Sequence, residues 1–147
     1  MLERATALRV KLAYQDEVLK PGSCYVAPPD RHLTLGSDGR INLLPDGFYR
    51  GHGIDALFTS LAHRAGGRAI GVVLSGVLGD GTVGLKAIKD AGGAALVQSP
   101  SEAEFPQMPQ NAIAYDGAVD LIAPVDVLAG EIVRRAGRSL VQAPASP

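Results

Sequence analysis

The chain has 147 residues, of which 46% are hydrophobic, which is enough to build the core of one globular domain. Its 14 basic and 15 acidic residues leave a formal net charge of −1, which argues against nucleic acid as a partner and against attachment to an anionic membrane. No stretch reaches the roughly 18 apolar residues of a membrane span, and the single Cys24 together with a charged N-terminus predicts a cytoplasmic protein without membrane insertion.

The first third of the chain has the patterns of short β-strands. The predicted strands are 8–12, 24–27, 32–35 and 41–44. In the first strand, Leu8, Val10 and Leu12 alternate with other residues, as in a half-buried strand. The last two are expected to pair as a hairpin across 36–40. We therefore expect antiparallel β-structure in this region.

From residue 53 onward, patterns of helices and buried strands alternate. We predict helices at 54–65, 83–91, 111–115 and 125–135, and strands at 69–74, 94–97 and 119–122. The strand at 69–74 is apolar on both faces, which is typical of a central parallel strand covered by helices. This alternation predicts an α/β fold with at least one βαβ unit.

The loop at 75–82 follows the central strand, where open α/β sheets gather their ligands. Gly79, Gly81 and Gly84 form the spacing G-x-G-x-x-G between a strand and a helix, which is the context of a dinucleotide-binding loop. However, Asp80 would place a carboxylate where the pyrophosphate binds, and no acidic residue ends the following strand. Dinucleotide binding is therefore the weaker alternative.

Asp80 has two interpretations. Its carboxylate could cap the helix that follows, by accepting N–H bonds of the first turn. It could also orient a histidine in a nucleophile–His–Asp relay. Such a relay needs a nucleophile, but the chain has no G-x-S-x-G motif, and Ser75 has no histidine beside it in sequence. We interpret Ser75 as a loop hydroxyl.

The three histidines are interpreted as non-catalytic. His32 lies in a predicted strand, His52 in a connection between two glycines, and His63 on the polar side of a predicted helix. With a single cysteine they lack the paired spacings of a zinc site. We therefore expect neither a metal ion nor a cofactor.

Several segments in a fixed order carry a family resemblance. They are 16–33, 54–58, 71–81, 84–88 with 91–93, and Met108-Pro109 with 112–113 and 117–120. Together they resemble the catalytic domain of the chemotaxis-type protein-glutamate methylesterases, the CheB family. The resemblance covers residues 13 to about 135. It implies a doubly wound, mostly parallel α/β sheet with helices on both faces and an antiparallel hairpin.

The resemblance also implies a chemistry and a substrate. In this family a Ser attacks the γ-methyl ester of a glutamate in a methyl-accepting chemotaxis receptor, a His relays the proton, and an Asp orients the His; members also deamidate receptor glutamines. The residue that matches the family's Asp is Asp80. The expected site loop comprises Ser75, Gly76, Val77, Gly79 and Gly81, with Met108 and Pro109 beside it.

This sequence departs from the family at the other two catalytic positions. The family's Gly-x-Ser-x-Gly-Gly and Gln-His-Met-Pro segments do not occur in it, and Val77, Ser75 and Gln107 replace the usual Met, Thr and Gly. We therefore expect residues 1–138 to be the C-terminal two-thirds of a methylesterase domain, inactive alone, and 139–147 to be a frayed tail.

The alternative is a non-catalytic remnant that binds a receptor or a regulatory partner. Exposed sheet edges would also favour self-association.

Overall fold

The computed structural model describes residues 7–77, 79–115 and 119–145, with side chains up to residue 137. The strands of this part of the chain are β1 (Arg9–Leu12), β2 (Ser23–Val26), β3 (Arg31–Leu35), β4 (Ile41–Pro45), β5 (Ile70–Val73), β6 (Ala94–Gln98) and β7 (Leu121–Ala123). Its helices are α1 (Gly53–Ala65), α2 (Thr82–Asp90), α3 (Gln107–Ala114) and α4 (Val125–Ala145), and a 3₁₀ turn at Gly66–Arg68 precedes β5.

A parallel sheet in the order β5-β6-β7 forms the centre of the fold. Every residue of β6 is buried, because helices cover both faces of the sheet. Val97 points to the face covered by α1, α2 and α3, whereas Leu96 contacts Leu128 of α4 on the other face. The predicted fold class, a mostly parallel sheet with helices on both faces and an antiparallel hairpin, is confirmed.

The hairpin β3–β4 is the antiparallel pair expected from the sequence, with Leu35 opposite Ile41. It packs against α1, where the Leu35 N–H donates a hydrogen bond to Ser60 Oγ at 2.9 Å. Ile41 is completely buried. The hairpin therefore fixes the outer side of the helix whose N-terminus forms part of the candidate site.

The expected antiparallel arrangement is wrong for β1 and β2, which pair in parallel. The connection between them crosses β4 before it returns, and the N–H of Asp16 donates to the carbonyl of Ile41 at 2.8 Å while the N–H of Ile41 donates to the carbonyl of Glu17 at 2.9 Å. A hairpin turn would reverse the direction of the chain, but a crossover of this length brings β2 back in the same direction as β1.

Two helices are longer than the sequence predicts. α3 begins at Gln107 rather than at 111, with Pro109 in its first turn, where a missing N–H costs no helical hydrogen bond. α4 continues past Arg135 to Ala145, so most of the expected frayed tail is helical, and residues 146–147 lie outside the described part. Leu78, Gly117 and Ala118, which belong to the segments of family resemblance, also lie outside it. No helix in the described ranges combines the length and apolar character needed to cross a membrane.

Candidate active site

The loops after β5 and β6 are joined at the carboxyl end of the parallel sheet. The Ser75 N–H donates to Oε1 of the buried Gln98, the last residue of β6, at 2.9 Å. The Gly76 N–H donates to the carbonyl of Phe105 at 2.8 Å, and the Met108 N–H donates to the carbonyl of Gly76 at 3.0 Å. These bonds hold the predicted site loop against the start of α3.

Gly76 and Met108, both expected at the site, are in direct contact. A Cβ added to Gly76 would overlap Met108 Sδ, and Met108 is itself buried with Pro109 next to it. Only glycine therefore lets the Met108 side chain occupy this position. The two residues belong to distant parts of the family pattern and meet in the fold.

Ser75 is exposed, and its hydroxyl bonds to the main chain. The Phe105 N–H donates to Ser75 Oγ at 2.8 Å. Among the described residues, no histidine forms a hydrogen bond with Ser75. The structure thus places Ser75 as a loop hydroxyl, while Val77 and Gly79 of the same loop face solvent.

Asp80 is 6% exposed, and its carboxylate accepts three main-chain N–H bonds. Oδ2 accepts from Ile54 at 2.7 Å, and Oδ1 accepts from Asp55 at 2.9 Å and from Gly81 at 2.8 Å. Ile54 and Asp55 are in the first turn of α1. Asp80 therefore caps α1. The capping interpretation had expected it to cap α2, the helix that follows it in the chain.

Gly81 lies between Asp80 and α2 and close to α1. It has a φ of +97°, which disfavours any residue with a side chain, and an added Cβ would lie 3.2 Å from the side chain of Ile54 in α1. Gly84, in the first turn of α2, would bring a Cβ to 2.8 Å from Asp55 Cα. Glycines at both positions allow the two helix N-termini to approach each other.

Asp55 completes the exchange between the two helices. Its Oδ1 accepts the N–H of Gly84 in α2 at 2.7 Å, and its Oδ2 lies 3.2 Å from Nδ1 of His52. Asp55 was not among the predicted site residues, although an acidic residue in the first turn of a predicted helix was the available signal. The pairing of His52, predicted to lie in a connection, was not expected either.

The same contacts argue against dinucleotide binding. The N–H groups of Gly81 and Gly84, which would receive a pyrophosphate in a G-x-G-x-x-G loop, donate to the carboxylates of Asp80 and Asp55. α1 covers the start of α2, where a phosphate would approach.

His52, Asp55 and Asp80 each place one potential metal ligand within 4.8 Å of the others, a cluster that sequence spacing did not reveal. Three N–H groups already bond to Asp80 and one bonds to Asp55, and the positive ends of two helix dipoles meet at this point. Capping accounts for both carboxylates, so the arrangement favours N–H donors over a cation.

The other histidines lie on surrounding elements. His32 is on β3, where its Nε2 lies 3.1 Å from Asp46 Oδ1 and its ring packs against Gly53 at the start of α1. His63 is exposed on α1, as its predicted position on the polar face suggested.

Thr82, two residues after Asp80, carries the one buried side-chain oxygen or nitrogen without a hydrogen-bond partner in the part of the chain that the structure describes. An unpaired buried hydroxyl costs about 1–3 kcal/mol. The start of α2 therefore retains one unsatisfied polar group beside the candidate site.

Comparisons with known proteins identify the family and agree with the fold. The family model described as CheB methylesterase matches residues 1–132. A putative protein-glutamate methylesterase/protein-glutamine glutaminase of Leptospira interrogans is 34% identical over 97% of this chain and 74% of that protein. A protein-glutamate methylesterase/protein-glutamine glutaminase of Rhizobium meliloti is 37% identical over 94% of this chain, but the chain spans only 40% of its length.

A solved structure shows the same fold. The crystal structure of the Thermotoga maritima CheB methylesterase catalytic domain superposes with a TM-score of 0.78 at 27% identity, and the match covers 90% of this chain and 72% of that domain. Together with the family model and the relatives above, this places the chain in a family: it belongs to the CheB methylesterases.

Proposed function

We propose that this chain is the part of a protein-glutamate methylesterase domain that carries the acidic residue of a Ser–His–Asp relay, and that this residue is Asp80. The observation that carries the proposal is the Asp80 carboxylate, buried at the carboxyl end of β5 and oriented by three N–H donors. Catalytic groups of open α/β sheets gather at this end. The names of the relatives indicate the reaction type, hydrolysis of a glutamate ester or of a glutamine amide.

The geometry leaves Asp80 able to act on an imidazole. Each carboxylate oxygen can accept two hydrogen bonds; from the described residues, Oδ1 accepts two and Oδ2 accepts only the one from Ile54. One acceptor direction on Oδ2 therefore remains for the Nδ1–H of a histidine. A carboxylate fixed in this way would select the histidine tautomer and stabilise the imidazolium.

In the proposed reaction, a serine hydroxyl attacks the carbonyl carbon of the γ-methyl ester and its proton passes to the histidine. The histidine then protonates the departing methoxide, which leaves as methanol. Water hydrolyses the acyl-enzyme, with the histidine accepting the proton of the water, and the serine is regenerated. Asp80 remains ionised throughout and stabilises the imidazolium in both steps.

The serine and the histidine have to come from residues outside this sequence, in which the two family motifs do not occur. Among the described residues, β5 has a strand partner only on its β6 side. A further parallel strand on the other side of β5 would end beside the 75–81 loop, because carboxyl ends of parallel strands meet at one edge.

We assign the substrate to glutamates and glutamines of methyl-accepting chemotaxis receptors, in the cytoplasm. The test is methanol release from a methylated receptor. The chain alone should release none, and a protein that joins the chain to a segment carrying Gly-x-Ser-x-Gly-Gly and Gln-His-Met-Pro should turn over. Turnover by the chain alone that disappears in Ser75→Ala would contradict the proposal and make Ser75 the nucleophile.

A further inference from the structure

A cleft of about 460 Å³ lies on one face of the β1–β2 sheet. We call it the Lys11 cleft; its charged and aromatic lining residues are Arg9, Lys11, Lys20, Glu17, Tyr14 and Tyr25. The candidate active site uses none of these residues. The cleft is therefore a separate feature of the molecule.

The strand register places the basic residues on one face. Arg9 lies opposite Ser23, and Lys11 lies opposite Tyr25, so alternate residues of both strands line the cleft. The intervening positions, such as Val10 and its partner Cys24, belong to the opposite, apolar face. The sequence thus separates charge and apolar surface across these two strands.

The wall of the cleft is ordered by contacts around Lys11. The Lys11 ammonium pairs with Glu17 and lies 4.3 Å above the centre of the Tyr14 ring. The Tyr14 N–H donates to the other oxygen of Glu17 at 2.9 Å. The hydrogen bond from Lys11 holds the pKa of Glu17 below its usual value. Lys11 and Glu17 are therefore a neutralised pair that shapes the cleft.

Two cations remain after this pair is counted. Within the described ranges, no carboxylate forms an ion pair with Arg9 or Lys20. The lining therefore carries three cations and one carboxylate, a net charge of +2, with Lys20 also acting electrostatically on Glu17, although the chain as a whole carries a net charge of −1. Two cations beside two tyrosine rings suit carboxylates on aliphatic stems, since the rings can pack on methylene groups while the cations bind the acids.

We propose that the Lys11 cleft binds an acidic peptide segment of a partner protein, with carboxylates of the peptide at Arg9 and Lys20. A nucleic acid is the less suitable occupant, because its contiguous phosphates need positive charge beyond the cleft and the chain as a whole carries a net charge of −1, whereas a short acidic peptide can place its carboxylates at Arg9 and Lys20 alone. The inference does not depend on the catalytic role of Asp80, because the two sites share no residue.

The test is fluorescence anisotropy with the purified chain and a labelled peptide that alternates Glu and Ala, compared with the same peptide containing Gln in place of Glu. The Glu peptide should bind, and its affinity should fall as salt is raised. The double variant Arg9→Glu/Lys20→Glu should weaken binding by about tenfold or more. Arg68→Glu, in the exposed 3₁₀ turn and outside the cleft, changes the charge by the same amount as Arg9→Glu alone and should weaken binding much less than that single variant does.

Thermal melting followed by circular dichroism checks that each variant folds, which is expected because Arg9 and Lys20 are exposed. Three results would overturn the proposal: equal binding of the Gln and Glu peptides, equal weakening by Arg68→Glu, or absence of binding by the folded chain. Tighter binding of a single-stranded oligonucleotide than of the Glu peptide would also overturn it in favour of a nucleic acid.

Discussion

Asp80 accepts the N–H of Asp55 at 2.9 Å, while Asp55 accepts the N–H of Gly84. Asp80 precedes α2 and caps α1, whereas Asp55 lies in the first turn of α1 and caps α2. The exchange joins the N-termini of α1 and α2 through two buried acids. It fixes the orientation of Asp80 through a residue 25 positions earlier in the chain. The proposed catalytic acid is therefore held by the fold and not only by its own loop.

Replacing Asp55 by Ala should lower the stability of the chain. The buried N–H of Gly84 would lose its acceptor, at a cost of about 1–3 kcal/mol in the free energy of unfolding. Urea denaturation measures this loss. Asp90→Ala is the matched control: it removes an exposed Asp from its ion pair with Lys86 and should cost no more than about 0.5 kcal/mol. Equal losses in both variants would show that the hydrogen bond from Gly84 to Asp55 adds no more stability than an exposed ion pair does.

Gly76→Ala should destabilise the candidate site through a steric clash. The new methyl group would overlap Met108 Sδ, and overpacking of this kind costs about 1–3 kcal/mol. Combining it with Met108→Ala should give a total loss smaller than the sum of the two single losses, because the clash is then removed.

Gly130→Ala is the control for Gly76→Ala. Gly130 lies in α4 with open space around it, so the substitution should stabilise the chain by about 0.5–1 kcal/mol through helix propensity. If the loss of unfolding free energy in the double variant Gly76→Ala/Met108→Ala equals the sum of the two single losses, the contact between these residues is contradicted.

Asp120 should make stability depend on pH in the acid range. Burial acts to raise the pKa of its carboxyl, but the hydrogen bonds from Lys89 and from the Ala95 N–H outweigh burial and hold the pKa below 3.8. A depressed pKa in the folded state stabilises the fold above pH 3.8, and this contribution is lost as the pH falls through the folded-state pKa. Asp120→Asn should therefore lower the melting temperature at pH 7, and the difference from the parent should shrink below pH 3.8. A difference that stays constant as the pH falls well below 3.8 would contradict this assignment.

The isolated chain should self-associate. Leu8 and Leu12, on the apolar face of the β1–β2 sheet, are 46% and 53% exposed, and one side of β5 has no strand partner among the described residues. Sedimentation velocity should show association that increases with concentration and decreases in Leu12→Glu. Val133→Glu changes a residue of α4 that is 71% exposed and should leave association unchanged. A monodisperse parent with a sharp thermal transition would show that the chain closes its own core.

Local patterns in the sequence predicted the elements whose partners are near in the chain. The hairpin β3–β4 follows from two alternating segments and a short turn, and β5, α2 and β6 follow from the change of period between apolar strands and an amphipathic helix. The fully buried β6 is recognisable because it is apolar on both faces. Where short connections fix the topology, the pattern is sufficient.

Features that depend on distant contacts were missed or misassigned. The parallel pairing of β1 and β2 depends on a connection that crosses β4, which no local pattern reveals. Asp80 caps α1 because α1 and α2 approach each other closely, and Gly81 and Gly84 permit this approach. The role of Asp55 follows from the same approach, so spacing within one segment could not identify it.

The most direct test of the catalytic assignment is Asp80→Asn in the protein that joins this chain to the serine and histidine segments. Both oxygens of Asp80 accept N–H bonds, and Asn keeps only one acceptor oxygen, so the melting temperature of the variant should fall. Rates are therefore compared per folded molecule. Asp90→Asn, which changes an exposed Asp in the same way, is the control. If Asp80 orients the histidine, methanol release should fall by about 10⁴, because an amide cannot stabilise the imidazolium and favours the wrong tautomer. A ratio of variant to parent near one, at full folding, would show that Asp80 is only a helix cap and would contradict the central claim.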